Sequence, residues 1–327
     1  MRLLIVLHHR FELWNAPDWV PTRLRQDFSN LEVVHLKNYD EIDREIVDAE
    51  VAVLWSLRPE QLRAAKRLRW IHSPAAAVHA LMIPEVIASD IVVTNASEVH
   101  GHVVAEHAVA MVFALSKRLH RTMHYQHART WGQNQLWDER PRPRELRGAT
   151  LGVIGLGAIG REVARMANAI GMNTLAVREH PERGSAPALQ VVGFESIDEV
   201  LGRSDFVVLA APLTPKTRAC INADRLRAMR PEAYFVNVSR GALVDEPALI
   251  DALRNSRIAG AALDVFANEP LSGDSELWSL PNLIITPHSA AATENLWERH
   301  YQLLAENLRR YKSGEPLLGV VDKQKGY

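Results

Sequence analysis

Leu151-Gly-Val-Ile-Gly-Leu-Gly-Ala-Ile-Gly160 is the stretch on which the fold turns. It opens as a short apolar run, which reads as a buried parallel strand. It closes in Gly155-Leu-Gly157-Ala158-Ile159-Gly160, the spacing G-x-G-x-x-G. Val163, Ala164, Met166, Ala167 and Ile170 follow at helical intervals, so a helix opens on the last glycines. In such a unit Gly155 permits the tight turn. Gly157 lets a pyrophosphate approach the backbone, and Gly160 lets the helix pack close to the strand. The helix N-terminus, with Ala158 and Ile159 of the loop before it, then offers free N–H groups to phosphates. Thr174–Val177 is the next strand candidate, and it completes the context of a dinucleotide site. The alternatives are a turn of this type that binds nothing, or one that holds S-adenosylmethionine.

The chain has 327 residues, which suits two domains. Its 38 basic and 39 acidic residues leave a formal charge of −1, without the basic excess of a nucleic-acid surface. The single Cys220 excludes an intrachain disulfide framework and suggests a reducing, cytoplasmic setting. Met1–Leu7 reads as a strand rather than a signal peptide. No contiguous run reaches the roughly 18 apolar residues of a membrane span. His100 and His102 lie close together, yet no HExxH motif or compact Cys/His cluster occurs, so no metal is expected.

Outward from the glycine loop, the N-terminal part alternates short apolar runs with helical segments. Strands are expected at Leu3–Leu7, Leu31–His35, Val51–Leu54, Trp70–His72 and Ile91–Thr94, with helices at Asp40–Ala49 and Pro59–Arg67. That alternation implies a parallel sheet covered on both faces. Ser73-Pro-Ala-Ala-Ala-Val78 follows a strand end, where α/β sheets collect ligands. Its small residues either leave backbone N–H groups open to a carboxylate or form an ordinary tight loop. A long helix is expected from His100 to His120. Residues 121–147, with Trp131, Trp137 and Arg140-Pro-Arg-Pro-Arg144, read as an irregular excursion or a subunit contact.

The second sheet is expected to use Leu151–Ile154, Thr174–Val177, Val191–Val192, Phe206–Leu209, Tyr234–Asn237, Ala259–Asp264 and Leu283–Ile285. Helices are expected at Arg161–Ala169, Ile197–Leu201, Asn222–Ala228 and Glu246–Ser256, with a last long helix at Ala292–Tyr311. Val320–Tyr327 reads as a frayed tail. Arg178 stands just beyond the second strand, where an acidic residue would bind an adenine ribose; arginine instead suits a 2′-phosphate and favours NADP over NAD. Arg183 is placed to help, Glu179 competes for the same ribose, and an exposed loop arginine is the alternative. Pro212, Thr217, Val238, Ser239 and Asp264 follow strands on the expected cofactor side. Arg240, Glu269 and His288 follow successive strands. Arg240 suits a two-pronged carboxylate contact, with a surface salt bridge as the alternative.

From His100 to Ala290 most strongly, and through nearly the whole chain, the sequence resembles the D-isomer-specific 2-hydroxyacid dehydrogenase family. The motifs are the glycine loop, Ala211-Pro-Leu-Thr-Pro215, Val238-Ser-Arg-Gly241, Glu269-Pro270 and Pro287-His288. The resemblance implies two doubly wound α/β domains. The substrate domain would comprise residues 1–99 and 292–327, and an NAD(P)-binding domain of Rossmann type would comprise 100–291. It implies a homodimer, and hydride transfer between a nicotinamide cofactor and a small 2-keto or 2-hydroxy acid. Arg240 would anchor the carboxylate with help from backbone N–H groups at Ala76 and Ala77. His288 would move the proton, oriented by Glu269, as the cleft closes. Glyoxylate and hydroxypyruvate are the leading substrates. A phosphoglycerate dehydrogenase-like enzyme and a nucleotide-sensing interaction module are the alternatives. The sequence departs from the family at Ala75-Ala-Ala-Val-His79, where Gly-rich sequence ending in Val-Asp is common. It departs also at Asn95–His100 and at Arg178.

Overall fold

Runs of Val, Ile, Leu and Ala with no polar alternation become strands buried on both faces, the pattern parallel sheets require. The computed structural model describes residues 1–326, which form two compact units: Met1–His100 with the chain from Ala292 onward, and Gly101–Ala291.

In the first unit, β1 (Arg2–Val6), β2 (Glu32–Leu36), β3 (Val51–Leu54), β4 (Trp70–His72) and β5 (Val92–Thr94) pair in parallel in the order β2-β1-β3-β4-β5. Chain direction across the sheet reverses between β1 and β3, the doubly wound arrangement. Ile5, Val53 and Trp70 face one core with Leu304 and Leu308 of the helix Leu296–Ser313, while Leu4, Ala52 and Ile71 face the other. In the second unit, β6 (Thr150–Ile154), β7 (Asn173–Val177), β8 (Gln190–Val192), β9 (Phe206–Leu209), β10 (Tyr234–Asn237), β11 (Gly260–Leu263) and β12 (Leu283–Ile285) pair in the order β12-β11-β10-β9-β6-β7-β8. All of these pairings are parallel, and the reversal falls between β6 and β9. The glycine loop leaves β6 at that switch point, where doubly wound sheets hold their ligands.

The structure corrects several expectations. Residues 121–147 are not irregular throughout: helices run over Leu119–His127 and Gln133–Asp138. Charge holds this region together, because Glu139 accepts hydrogen bonds from Arg118, Arg121 and Tyr125, and no apolar stripe advertises it. A helix at Trp19–Asp27 carries Pro21 in its first turn, where the missing N–H costs little. The glycine-loop helix starts earlier than expected, at Ala158. The tail is not frayed over its length. Val320 bridges Thr94, Val321 N–H donates to Val93 O at 2.9 Å, and Lys323 donates to the carbonyls of Val86, Ser89 and Ile91. Tyr327 lies outside the described residues. The helix Ser97–Ser116, with a mean hydropathy of 1.2, is long and apolar enough to cross a membrane. Its apolar residues are interspersed with Ser, His, Gly and Glu, so no contiguous run marks it. Over half of that window, 56%, is buried within the protein, as in a core helix.

A buried polar cluster lies in the first unit's core. Trp70 Nε1 donates to Thr94 Oγ1 at 2.8 Å, and His72 Nδ1 is hydrogen-bonded to the same oxygen, also at 2.8 Å. Burial pushes the His72 pKa down to about 4, so the ring is neutral near pH 7. His300 is drawn down to about 2 by burial and by the charges of His100, His72 and Arg299. From pH 6.5 down to about 4 the unfolded chain takes up a proton at His72 that the folded unit refuses, so stability falls with falling pH in that window. His72 alone contributes a loss of roughly 3 kcal/mol across the window. Urea midpoints at pH 7 and pH 5 should fall less for His72→Gln than for the wild type. An equal fall would remove His72 as the source.

Candidate active site

The cradle at β6 is built by close approach. Gly155 has φ +101°, and its N–H donates to Val177 O at 2.9 Å. A side chain there would meet the Ala211 backbone at 2.6 Å, and one at Gly160 would meet Gly155 O at 2.0 Å. Gly157 differs: nothing lies within 4 Å of where its Cβ would be. It is also the N-cap of the helix Ala158–Ala169, with no side chain capping the first N–H groups. Ala158 and Ile159 occupy that first turn. Open backbone and uncapped N–H groups at the positive end of a 12-residue helix fit a pyrophosphate.

The flanking loops are pinned by their own bonds. Arg178 N–H donates to Val192 O at 3.0 Å, and its Nη1 donates to Gly184 O at 3.3 Å, so the guanidinium stays against the 178–184 loop. Arg183 is exposed in the same loop. Glu179 is drawn toward Lys216, 3.8 Å away. Thr217 Oγ1 donates to Pro212 O at 2.7 Å and accepts from Thr214 N at 2.8 Å, which makes Thr217 a staple of its loop. Val238 is buried, and the buried Ser239 hydroxyl donates to Ala211 O.

Arg240, Glu269 and His288 lie beyond the C-terminal ends of β10, β11 and β12, three neighbouring strands. Arg240 is half-buried; Asn237 Nδ2 donates to its carbonyl at 3.1 Å, and its Nη1 donates to Ser239 O at 2.6 Å. Burial draws the guanidinium below its ordinary pKa, and the negative charge of Glu269 opposes that shift. Gly241 is required next: a Cβ there would sit 1.9 Å from the carbonyl carbon of Phe266. That contact sets the chain that leads to Glu269, whose Oε1 accepts from Phe266 N at 3.0 Å. Oε2 of Glu269 meets Nδ1 of His288 at 2.6 Å. Burial pushes the Glu269 carboxyl up, but the bonds from His288 and Phe266 and the charges of His288 and Arg240 outweigh it and hold it below the ordinary range. His288 Nε2 makes no hydrogen bond to any described residue.

Asp264 organises this loop from beneath. Its carboxylate is 3% exposed and accepts Thr286 Oγ1 at 2.6 Å, Ser289 N at 2.9 Å and Ala290 N at 3.1 Å. His288 N–H donates to Asp264 O at 2.9 Å, and the residue takes φ +51°. His107 Nε2 lies 3.1 Å from Thr286 Oγ1; the threonine hydrogen goes to Asp264, so His107 is the donor. The sequence gives His107, Thr286 and Asn237 no role in the site, because no local spacing relates them to it. Among the described residues no group of three His, Cys, Asp or Glu side chains is arranged to hold a metal ion. Burial pushes the thiol of Cys220 up to about 11, which leaves it inert.

In the first unit, the Ser73–Val78 loop has its carbonyls tied on one side. Pro74 O accepts from His100 Nε2 at 3.2 Å, Ala75 O from Ala96 N at 3.2 Å, and Ala76 O from Asn95 Nδ2 at 2.9 Å. The N–H groups of Ala76 and Ala77 make no hydrogen bond among the described residues. The loop therefore has the free donors that a carboxylate needs.

Residues 109–290 match the family described as D-isomer specific 2-hydroxyacid dehydrogenase, NAD binding domain. A glyoxylate reductase from Thermococcus kodakarensis is 36% identical over 301 residues, 87% of this chain and 88% of that protein. A D-3-phosphoglycerate dehydrogenase from Methanocaldococcus jannaschii is 32% identical over 92% of this chain but only 57% of its own length. The crystal structure of a D-isomer specific 2-hydroxyacid dehydrogenase from Xanthobacter autotrophicus Py2, in complex with NADPH and MES, is similar with a TM-score of 0.85 and 27% identity. It covers 100% of this chain and 99% of that one. With identity and coverage of this extent, the chain belongs to the D-isomer specific 2-hydroxyacid dehydrogenase family, whose members are NAD(P)-dependent oxidoreductases.

Proposed function

We propose that this enzyme reduces a small 2-keto acid of the glyoxylate or hydroxypyruvate type to its D-2-hydroxy acid, with NADPH preferred and NADH a poorer donor. The observation that carries the reading is the 2.6 Å bond between Glu269 Oε2 and His288 Nδ1, with Nε2 left open. An ionised Glu269 accepts the Nδ1 hydrogen and fixes the ring. A proton carried on Nε2 passes to the substrate oxygen as it gains charge, and Nε2 takes it back in the reverse direction. Arg240 binds the substrate carboxylate and orients the carbonyl. The N–H groups of Ala76 and Ala77 are the first unit's carboxylate donors. The cofactor, when bound, supplies the hydride; the Gly155–Gly160 cradle and the first turn at Ala158 and Ile159 would hold its phosphates. Val238 and Ser239 would line its seat, with Pro212 and Thr217 shaping the loop beside it. Asp264, with three donors already taken, has one acceptor position left for it. In this reading the second unit is the cofactor domain and the first is the substrate domain.

Arg178 supports the NADPH preference, since it follows the second strand of the nucleotide fold, where a ribose 2′-phosphate is read, and Glu179 pairs toward Lys216. The complex of the Xanthobacter relative with NADPH supports it as well. We place the enzyme as a homodimer in the cytoplasm. The exposed Met123, Trp131 (89%) and Trp137 are the apolar surface that favours self-association, and the one free thiol suits a reducing compartment.

Purified enzyme should oxidise NADPH with glyoxylate or hydroxypyruvate, and use a phosphorylated 3-carbon keto acid poorly. Absence of turnover across a panel of 2-keto acids with both cofactors would end the proposal. Arg178→Ala should raise KM for NADPH about tenfold and leave NADH use nearly unchanged. Equal loss with both cofactors would deny Arg178 its 2′-phosphate role.

His288→Asn should lower kcat by about a thousandfold, and Glu269→Gln by about a hundredfold, with NADPH affinity retained. Glu269 titrates below its ordinary 4.5, so its contribution to the active pair persists as pH falls to that value and is lost only below it. Stopped-flow single-turnover rates would show this. Wild-type rates in His288→Asn would defeat the acid/base assignment.

A further inference from the structure

The loop that offers Ala76 and Ala77 N–H groups is shaped from behind by residues outside the catalytic set. Asn95 follows β5 and is 6% exposed. Its Nδ2 donates to Ala76 O at 2.9 Å, and its Oδ1 accepts from Ser97 N at 3.2 Å, so both ends of the amide are engaged. A peptide plane held at its carbonyl aims the N–H of the following residue the opposite way. The Asn95 clamp on Ala76 O thus sets the direction of the Ala77 N–H. Asn95 is itself held by the C-terminal segment. Its backbone N–H donates to Gly319 O at 2.9 Å, and the next residues continue as an antiparallel strap, with Val320 bridging Thr94 and Val321 N donating to Val93 O at 2.9 Å. Asn307 closes the far end, with Nδ2 on Leu318 O at 3.0 Å and Oδ1 on Leu318 N at 2.7 Å. Gly319 leaves no slack: its φ is +68°, and an added Cβ would sit 2.5 Å from Asn95 O.

We infer that Asn95, propped by the strap Leu318–Val321, is a positioning residue that aims the Ala77 N–H at the substrate carboxylate. The C-terminal strap is thereby part of how the enzyme selects acids over uncharged carbonyl compounds. This rests on the reading of Ala76 and Ala77 as carboxylate donors. Asn95→Asp keeps the size and the acceptor toward Ser97 but sets an oxygen against Ala76 O. The test is steady-state kinetics of the full chain with glyoxylate and with methyl glyoxylate, alongside NADPH titration by fluorescence. Asn95→Asp should raise KM for glyoxylate about tenfold, with kcat/KM for the ester and the NADPH Kd held within about twofold. Gly319→Ala, which must push the strap off Asn95, should move the acid-to-ester ratio the same way and decides the matter if Asn95→Asp does not fold. An unchanged ratio, whether both substrates suffer or neither does, overturns the inference, as does loss of fold in both variants. A wild-type enzyme that turns over neither compound nor any other 2-keto acid instead removes the reaction on which the inference rests.

Discussion

A carboxylate that is 3% exposed cannot stay charged without donors, and that constraint at Asp264 shapes the second unit's site. The donors it finds are Thr286 Oγ1 and the N–H groups of Ser289 and Ala290, all in the short loop after β12. Gathering them bends the chain so sharply that His288 takes φ +51°, a conformation other residues rarely hold without external bonds. The imidazole is thereby delivered to Glu269 as a consequence of satisfying a buried charge one strand away. His107 extends the same network through Thr286, so a residue of the long helix is coupled to the placement of His288 without touching it.

A second constraint works by exclusion. Gly155 and Gly160 admit no side chain because the Ala210–Ala211 backbone just after β9 and the turn itself are already there, and Gly241 admits none because the Phe266 carbonyl carbon stands 1.9 Å from its missing Cβ. The first two pull the helix Ala158–Ala169 onto β6 and leave Gly157 open. The third locks the segment after β10 to the segment after β11, which ties the backbone of Arg240 to the approach of Glu269. Hydride transfer and proton transfer both need fixed donors within a few tenths of an ångström. Backbone packed on backbone provides that stiffness better than side chains with free rotamers.

Much of this was legible in the chain. Apolar runs such as Val51-Ala-Val-Leu54 and Phe206-Val-Val-Leu209 became strands with those bounds, because a sheet covered on both faces imposes a continuous apolar pattern. The glycine loop and the positions of Arg240, Glu269 and His288 after successive strands were also readable, while the pairing of Glu269 with His288 was implied only by the family resemblance. What stayed hidden has a common physical character. The helices at Leu119–His127 and Gln133–Asp138 are gathered by Glu139 and two arginines, and Lys323 ties the tail to three carbonyls. Bonds between residues far apart in sequence leave no period to detect.

The Ser73–Val78 loop shows how such hidden bonds decide a site. Read as sequence, Ala75-Ala-Ala77 was equally a tight loop or a carboxylate seat, and the alanine in place of a common glycine was expected to narrow the loop or alter substrate choice. Three carbonyl contacts from His100, Ala96 and Asn95 remove the ambiguity about direction, because a planar peptide held at its oxygen has its hydrogen on the other side. Alanine then suffices where glycine is common in the family, since the loop needs a fixed peptide orientation rather than a wide range of backbone angles. The departure at Ala77 thus does not cost the loop its donors. The conformation of this loop is set by what lies behind it, in residues that a motif confined to the loop does not include.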